Sequence, residues 1–426
     1  MLLPILQLLA VGAFLWSSWR IVRHFLFQTD LDNIPGPPSQ SFLTGNFKRV
    51  FNPNAWSFHQ EIAEKYGSVV KIKAMFGENQ LFVFDPKAMH HIIVKDQYIY
   101  EETSSFIVGN RIIFGEGLLG TLGGHHRKQR KMLNPVFSIA HMREMIPVFW
   151  KVSRRLQVAF QAKLKNGPQE IDVTHWMTRT ALELIGQSGL GYSFDPLAED
   201  ATAHPYSTAA KRLGKIGSPR FQRWVIDMLP WKTIHELRDI VDLIHNTSLE
   251  IFKSKKRALE EGDEVLQKQV AQGKDIMSIL LRENMNASEE DRLTESELLG
   301  QMSTLTFAAM DTTSGALSKT LYLLSTHPNV QERLRQEILT ACRDGEDLSY
   351  DDLVDLPYLD AVCRETLRFS RQDIILPFSS PVKGVDGREM EEVFIPNNTN
   401  VIVSILNSNR NRAIWGEDSY EWKPER

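Results

Sequence analysis

The chain has 426 residues, 42% hydrophobic and 24% charged, with 49 Lys and Arg against 53 Asp and Glu for a net charge of −4. That apolar share is enough for a large core and excludes wholesale disorder. The near-neutral balance gives no general attraction to nucleic acid. Two cysteines, Cys342 and Cys363, exclude a disulfide framework and a Cys-rich zinc site, and their scarcity suits a reducing compartment.

Residues Met1 to Trp19 carry no charge, the run Leu2–Trp16 is almost wholly apolar, and Arg20, Arg23 and His24 follow it. A cleaved secretory signal has its positive charge ahead of the apolar stretch. Here the charge lies behind, which holds the following body on the cytosolic side of a membrane. About 19 apolar residues just span a thin bilayer such as that of the endoplasmic reticulum. The pattern predicts a single-pass anchor over residues 1–27, with a cleaved signal as the alternative. Ile34-Pro35-Gly36-Pro37-Pro38 then reads as a stiff spacer in a hinge over 28–50, although an ordinary Pro-rich loop fits it equally well. The sequons at Asn246, Asn286 and Asn397 are acceptors only in a lumenal body, so this orientation makes them chance matches.

From 51 to 426 the chain reads as mainly α with a small β lobe. Phe58–Tyr66 has helical spacing and stops at Gly67. Val69–Lys73 and Gln80–Asp85 predict a hairpin turning at Gly77-Glu78-Asn79, and Pro86–Lys95 a short helix. A Gly-rich loop is expected over 109–124, a basic helix over His125–Leu133, and further helices over 143–164 and 173–189. Residues 195–235 mix Pro, Gly and aromatics as a mobile or membrane-facing cover does, and Lys253–Gln272 reads as a solvated helix and loop. The longest helix opens with a capping box at Thr294-Glu295-Ser296-Glu297 and stops at His327-Pro328. Its roughly 30 residues span about 45 Å.

In the middle of that helix, small uncharged residues give way to Asp311, Thr312 and Thr313. An acid and two hydroxyls in a buried helix are costly unless paired or used, and Thr can bond back to the preceding turn and bend the helix. From the residues alone, a satisfied Asp or a kink competes evenly with catalysis. Further on, Glu365 and Arg368 share a helix face and can pair among Leu356, Leu359, Val362, Cys363 and Leu367. Glu289/Arg292 and Glu332/Arg335 have the same spacing and read as surface pairs. Cys342 reads as a loop thiol and Cys363 as a buried small apolar side chain.

In this order the pieces resemble a cytochrome P-450, the haem-thiolate monooxygenase family, of the membrane-anchored eukaryotic type. Gly124–Arg130 with Leu133–Ser138 is similar to the family's C-helix. Ala308-Ala309-Met310-Asp311-Thr312-Thr313 is similar to its oxygen-binding helix, with Ala309 where Gly is commoner. Glu365-Thr366-Leu367-Arg368 is similar to its K-helix pair, and Trp422–Arg426 to its Pro-Glu-Arg motif. The phrases 356–368 and 409–426 look most like those of fungal, basidiomycete members.

The resemblance implies a cytochrome P-450 fold behind one anchor, with residues 51–426 as the catalytic domain and haem b as cofactor. It implies that Asp311 and Thr312 organise protons and water for dioxygen, with Ala308 and Ala309 against the haem. Arg130, with His126 at the family's usual Trp position, meets the haem propionates; a solvated loop residue is the even alternative for His126. Glu365, Arg368 and Arg426 form a structural charge network. Arg127, Lys128 and Lys131 offer a basic face to NADPH-cytochrome P-450 reductase, or an ordinary solvated surface. The implied substrate is a hydrophobic small molecule of secondary-metabolite or xenobiotic type, lined by 101–122, 195–235 and 304–313. The place is the endoplasmic reticulum membrane.

The pattern is also departed from. The family's axial Cys loop follows the Pro-Glu-Arg motif, so no metal ligand is assigned here, and the expectation is a domain incomplete at its C-terminus, lacking that loop and the last helix. After Arg368 the usual Pro-containing stretch is shortened, with Arg371 the only stand-in for a propionate-binding arginine. The first alternative is therefore a truncated, haem-free product that at most binds apolar ligands or partners. The second is a helical membrane-anchored binding module, recognised by a lack of strands at 69–85 and an exposed 294–326 helix.

Overall fold

The computed structural model describes residues 29–96, 99–198, 201, 204–207, 209, 232–261, 275–342, 347–369, 381–396 and 399–426, with isolated helical positions at Val11, Gly12, Leu15, Ser18 and Trp19. The expected anchor lies almost wholly outside the described residues, as do Arg371, Asn397 and most of 199–231. Among the described residues no helix is long and apolar enough to cross a membrane. The chain divides into two compact units, Met1–Tyr100 with Arg368–Trp422 and Glu101–Leu367 with Lys423–Arg426.

The first unit is built on a small sheet. Helix α1 (Trp56–Tyr66) is followed by strands β1 (Val69–Lys73) and β2 (Asn79–Val83), and α2 (Pro86–His90) continues as a π turn over His91–Lys95. Strands β3 (Val382–Lys383) and β4 (Glu389–Met390) form a separate pair, and β5 (Val401–Val403) runs parallel to β2. The β1–β2 pair is antiparallel with Val70 opposite Phe82. Alternation sends Val69, Leu81 and Val83 to a cluster with Ile34 and Met89, and Val70, Ile72, Phe82 and Phe84 to one with Phe58 and Ile62. The hairpin turns earlier than expected: Met75–Gly77 makes a 3-10 turn with Phe76 at φ 57°, and Glu78 is already extended. Asp85 is not strand but the cap of α2, accepting the Ala88 N–H at 3.1 Å, which ends β2 early.

The second unit is helical. Its main helices are α3 (Ser104–Phe114), α4 (Gly123–Leu133), α5 (Ile139–Leu164), α6 (Val173–Ile185) and α7 (Lys232–Glu261). They continue with α8 (Ile276–Asn286), α9 (Glu295–Thr326), α10 (Pro328–Ala341) and α11 (Pro357–Phe369). The capping box is formed: Thr294 accepts the Glu297 N–H, and Glu297 accepts the Thr294 N–H at 2.7 Å. From there α9 runs 32 residues, packing its buried Leu298, Met302 and Met310 into one cluster with Leu182, Phe252 and Met277.

Three expectations are corrected in this unit. The Gly-rich loop is helical as far as Phe114, because Thr103 caps α3 and Gly109 and Phe114 are buried. Residues 195–198 do not belong to a mobile cover: Asp195 and Leu197 are buried. Arg179 grips Asp195 through two bonds of 2.7 and 2.8 Å, and Glu183 accepts the N–H groups of Phe194 and Asp195, each at 2.8 Å. Of the two surface pairs, Arg335 meets Glu332 at 3.3 Å. Arg292 instead donates to the Ala287 and Met285 carbonyls, which terminate α8 and compete for its guanidinium.

Candidate active site

Helix α9 changes character along its length. Gly300 to Thr304 are buried, yet in mid-helix Ala308, Asp311, Thr312 and Gly315 are exposed while Met310 and Ser314 are buried. Spacings of three and four place the exposed set on one face. A Cβ built on Gly315 meets nothing within 4 Å, so this face opens onto free space. Thr312 Oγ1 donates to the Ala308 carbonyl at 2.8 Å, which satisfies the hydroxyl and leaves Asp311 as the ionisable group of the face. Ala309 is half-buried at its edge. Next to this face in sequence, Phe307 packs on buried Phe114, their rings 4.9 Å apart.

On α4, Arg130 is exposed and has no ion-pair partner among the described residues. His126 lies one turn before it and is half-buried; burial, then the Arg130 charge, lowers its pKa. It is therefore a neutral imidazole at physiological pH, beside a permanent cation. The expected basic face is less open than its sequence suggests, because Lys131 pairs with Asp291 at 3.3 Å. The two line an open groove of about 200 Å³ together with Lys128 and Glu283.

Glu365 is buried and accepts the Lys423 N–H at 2.9 Å, with Arg426 Nε at 3.6 Å. The expected network thus joins Glu365 to Arg426, while the Arg368 side chain lies outside the described residues. A second latch holds the same segment and escaped the sequence reading. Glu425 accepts the Tyr358 hydroxyl at 2.7 Å and meets Arg333 at 3.3 Å, and Arg333 stacks over the Tyr358 ring. Desolvation and the Glu425 carboxylate push the Tyr358 phenol up to about 12.

Also missed was a buried polar network centred on Gln129, which bonds Glu297 at 3.1 Å and Gln301 at 2.8 Å. Gln129 shares a buried stripe with Leu133 one turn on, and that spacing was the available signal. Among the described residues neither cysteine belongs to a cluster of side chains that could hold a metal ion. Cys342 ends α10, and Cys363 is exposed on α11 rather than buried. The Cys363 sulfur is desolvated and near Asp360, both of which raise its pKa and keep it a thiol.

Comparison with known proteins bears directly on these features. The Cytochrome P-450 family model matches residues 35–426. Cytochrome P-450 monooxygenase 91 of Postia placenta is 49% identical over 452 residues, covering 100% of this chain and 83% of the relative. A ganoderic acid synthetase of Ganoderma lucidum is 41% identical, covering 99% of this chain and 82% of the relative. A cytochrome P-450 monooxygenase of Hericium erinaceus is 36% identical, covering 98% of this chain and 81% of the relative. Strands at 69–83 and this family match together exclude a binding module with accidental motifs. The family's cofactor is haem iron and its chemistry oxidoreductive. The chain, mainly helical with a small sheet region, belongs to the cytochrome P-450 monooxygenase family.

Proposed function

We propose that this protein oxidises a hydrophobic small molecule with dioxygen, using electrons from NADPH-cytochrome P-450 reductase at the endoplasmic reticulum membrane. The observation that carries the reading is the open face of α9, where an acid and a hydroxyl lie beside Ala308 and Gly315 just beyond the buried stretch Gly300–Thr304. The small side chains and free space on that face leave room for a haem, and exposed Arg130 with neutral His126 fits its propionates. Bound haem supplies the activation of dioxygen. Asp311 and the Thr312 hydroxyl then hold and pass protons at the face. A ganoderic acid synthetase among the relatives supports a small-molecule, secondary-metabolite substrate. The apolar run Leu2–Trp16 with Arg20 and Arg23 behind it supports the membrane and the cytosolic orientation.

The alternative reading is a haem-free product that at most binds apolar ligands or partners. Microsomes carrying the natural gene product and the reductase separate the two readings. The proposal expects dioxygen-dependent oxidation of an apolar substrate that falls at least about 100-fold in Asp311→Asn while substrate affinity is kept. Microsomal protein that retains no haem, or an Asp311→Asn variant of undiminished rate, contradicts it.

A further inference from the structure

Three polar side chains meet in the interior between α4 and α9. Gln129 and Gln301 are 0% exposed and Glu297 3%. Burying such groups is costly unless every donor and acceptor is met, and here they are met. Gln129 donates to the Glu116 carbonyl at 2.8 Å and to Glu297 Oε1 at 3.1 Å. Its own oxygen accepts from Gln301 at 2.8 Å and from Thr121 Oγ1 at 3.3 Å. Gln301 Oε1 takes the Leu118 N–H at 3.1 Å, and His125 Nε2 meets Glu297 Oε1 at 2.8 Å from the solvent side. Beside this network the loop after α3 touches α9 backbone to backbone, since a Cβ on Gly300 would lie 2.8 Å from the Gly117 Cα.

Apolar side chains of the same size would fill this space without the polar demands. What the network adds is register. An apolar seam tolerates sliding, whereas a slip of α4 by one turn, about 5.4 Å, would strip buried Gln129 of its partners and break the bonds it makes to Glu297 and Gln301. Arg130 is the next residue after Gln129 and His126 lies three before it, so any error of register reaches both.

We propose that Gln129 and Gln301 are positioning residues, which fix α4 against α9 and thereby aim Arg130 at the anionic edge of the haem. The inference rests on the propionate reading of Arg130. The test titrates the purified chain with hemin and with hemin dimethyl ester, whose propionates carry no charge, and takes the ratio of affinities. Charge-assisted bonds from Arg130 predict a preference for hemin of about tenfold or more, which Arg130→Leu abolishes. Gln129→Leu is expected to cut the preference several-fold while leaving the ester's affinity unchanged.

Gln129→Glu supplies a readout that simple loosening would not move. Near pH 8 its carboxylate faces Glu297, and the preference collapses. Near pH 5 the protonated carboxyl reproduces the amide's shape, and the preference returns. His125 and Glu297 are the titratable side chains facing position 129, and Gln129→Glu stays informative should Gln129→Leu fold poorly. If Arg130→Leu abolishes the preference while both Gln129 variants keep it at every pH, the positioning role is refuted and the propionate reading stands. If the unaltered chain shows no preference, or Arg130→Leu leaves it intact, the propionate reading fails and the inference with it.

Discussion

Adding one methyl group at two glycines of α9 should shift stability in opposite directions. A Cβ at Gly300 would collide with the Gly117 nitrogen and lie 2.8 Å from its Cα and 2.9 Å from the Glu116 carbonyl carbon. These are backbone atoms, which cannot swing aside, so the loop must move. Overpacking of this kind costs about 1–3 kcal/mol, against a gain of about 1 kcal/mol for replacing glycine by alanine inside a helix. Gly300→Ala should therefore destabilise the chain by about 1 kcal/mol in the middle of that range, more if the Gln301–Leu118 bond is lost with the loop. At Gly315 nothing lies within 4 Å, and only the propensity gain remains. Gly315→Ala should stabilise the chain by up to about 1 kcal/mol. Urea unfolding followed by tryptophan fluorescence measures both. A neutral or stabilising Gly300→Ala would refute the close approach of loop and helix, and a destabilising Gly315→Ala would refute the open face.

Asp195→Ala leaves Arg179 buried without its carboxylate and should cost about 3–5 kcal/mol, read as a fall in the urea midpoint; an unchanged midpoint sinks the claim that the 195–198 segment is pinned. Glu297 has its carboxyl held below the usual range, because bonds from Thr294 and Gln129 and the charge of His125 outweigh the desolvation that would raise it. Its contribution to stability is therefore present above about pH 4.5 and lost as pH falls through the lower folded value, and Glu297→Gln should flatten that acid limb in urea titrations. The Tyr358 phenol, pushed up to about 12, contributes stability that is whole below about pH 10 and lost as pH rises through the folded value. Ultraviolet difference spectra between the chain and Tyr358→Phe should show that phenol titrating late, and an ordinary titration would dissolve the Glu425 latch.

Much of this architecture was legible in the sequence because local signals and burial agree. The β1–β2 pair alternates cleanly between two clusters, and α9 begins and ends at the capping box and proline that announce it. Failures arose where tertiary packing overrode local chemistry. Gly109 and the glycines after it suggested a loop, but burial of Phe114 and the Thr103 cap carry the helix through. Gln129 sits among charged neighbours in a helix read only as basic, yet the Gln129/Leu133 stripe turns it inward. Cys363 was read from the apolar run around it, whereas the buried face of α11 follows Tyr358, Val362, Glu365 and Thr366 and leaves Cys363 off it. The candidate site was legible as motifs in order. The half-buried state of His126 is set by packing that the sequence does not show, and the Lys131–Asp291 pair and the Tyr358–Glu425 latch depend on partners distant in the chain.

The central claim is that the open face of α9 is where the haem lies, and hemin binding to Gly315→Leu tests it most directly. A Cβ at that position meets nothing within 4 Å, so stability should hold while the side chain projects where the ring is placed. The account predicts a complex of hemin with the unaltered chain and affinity at least about tenfold weaker in the variant, equivalent to about 1.4 kcal/mol. Binding to Gly315→Leu as tight as to the unaltered chain would contradict it and place the haem elsewhere.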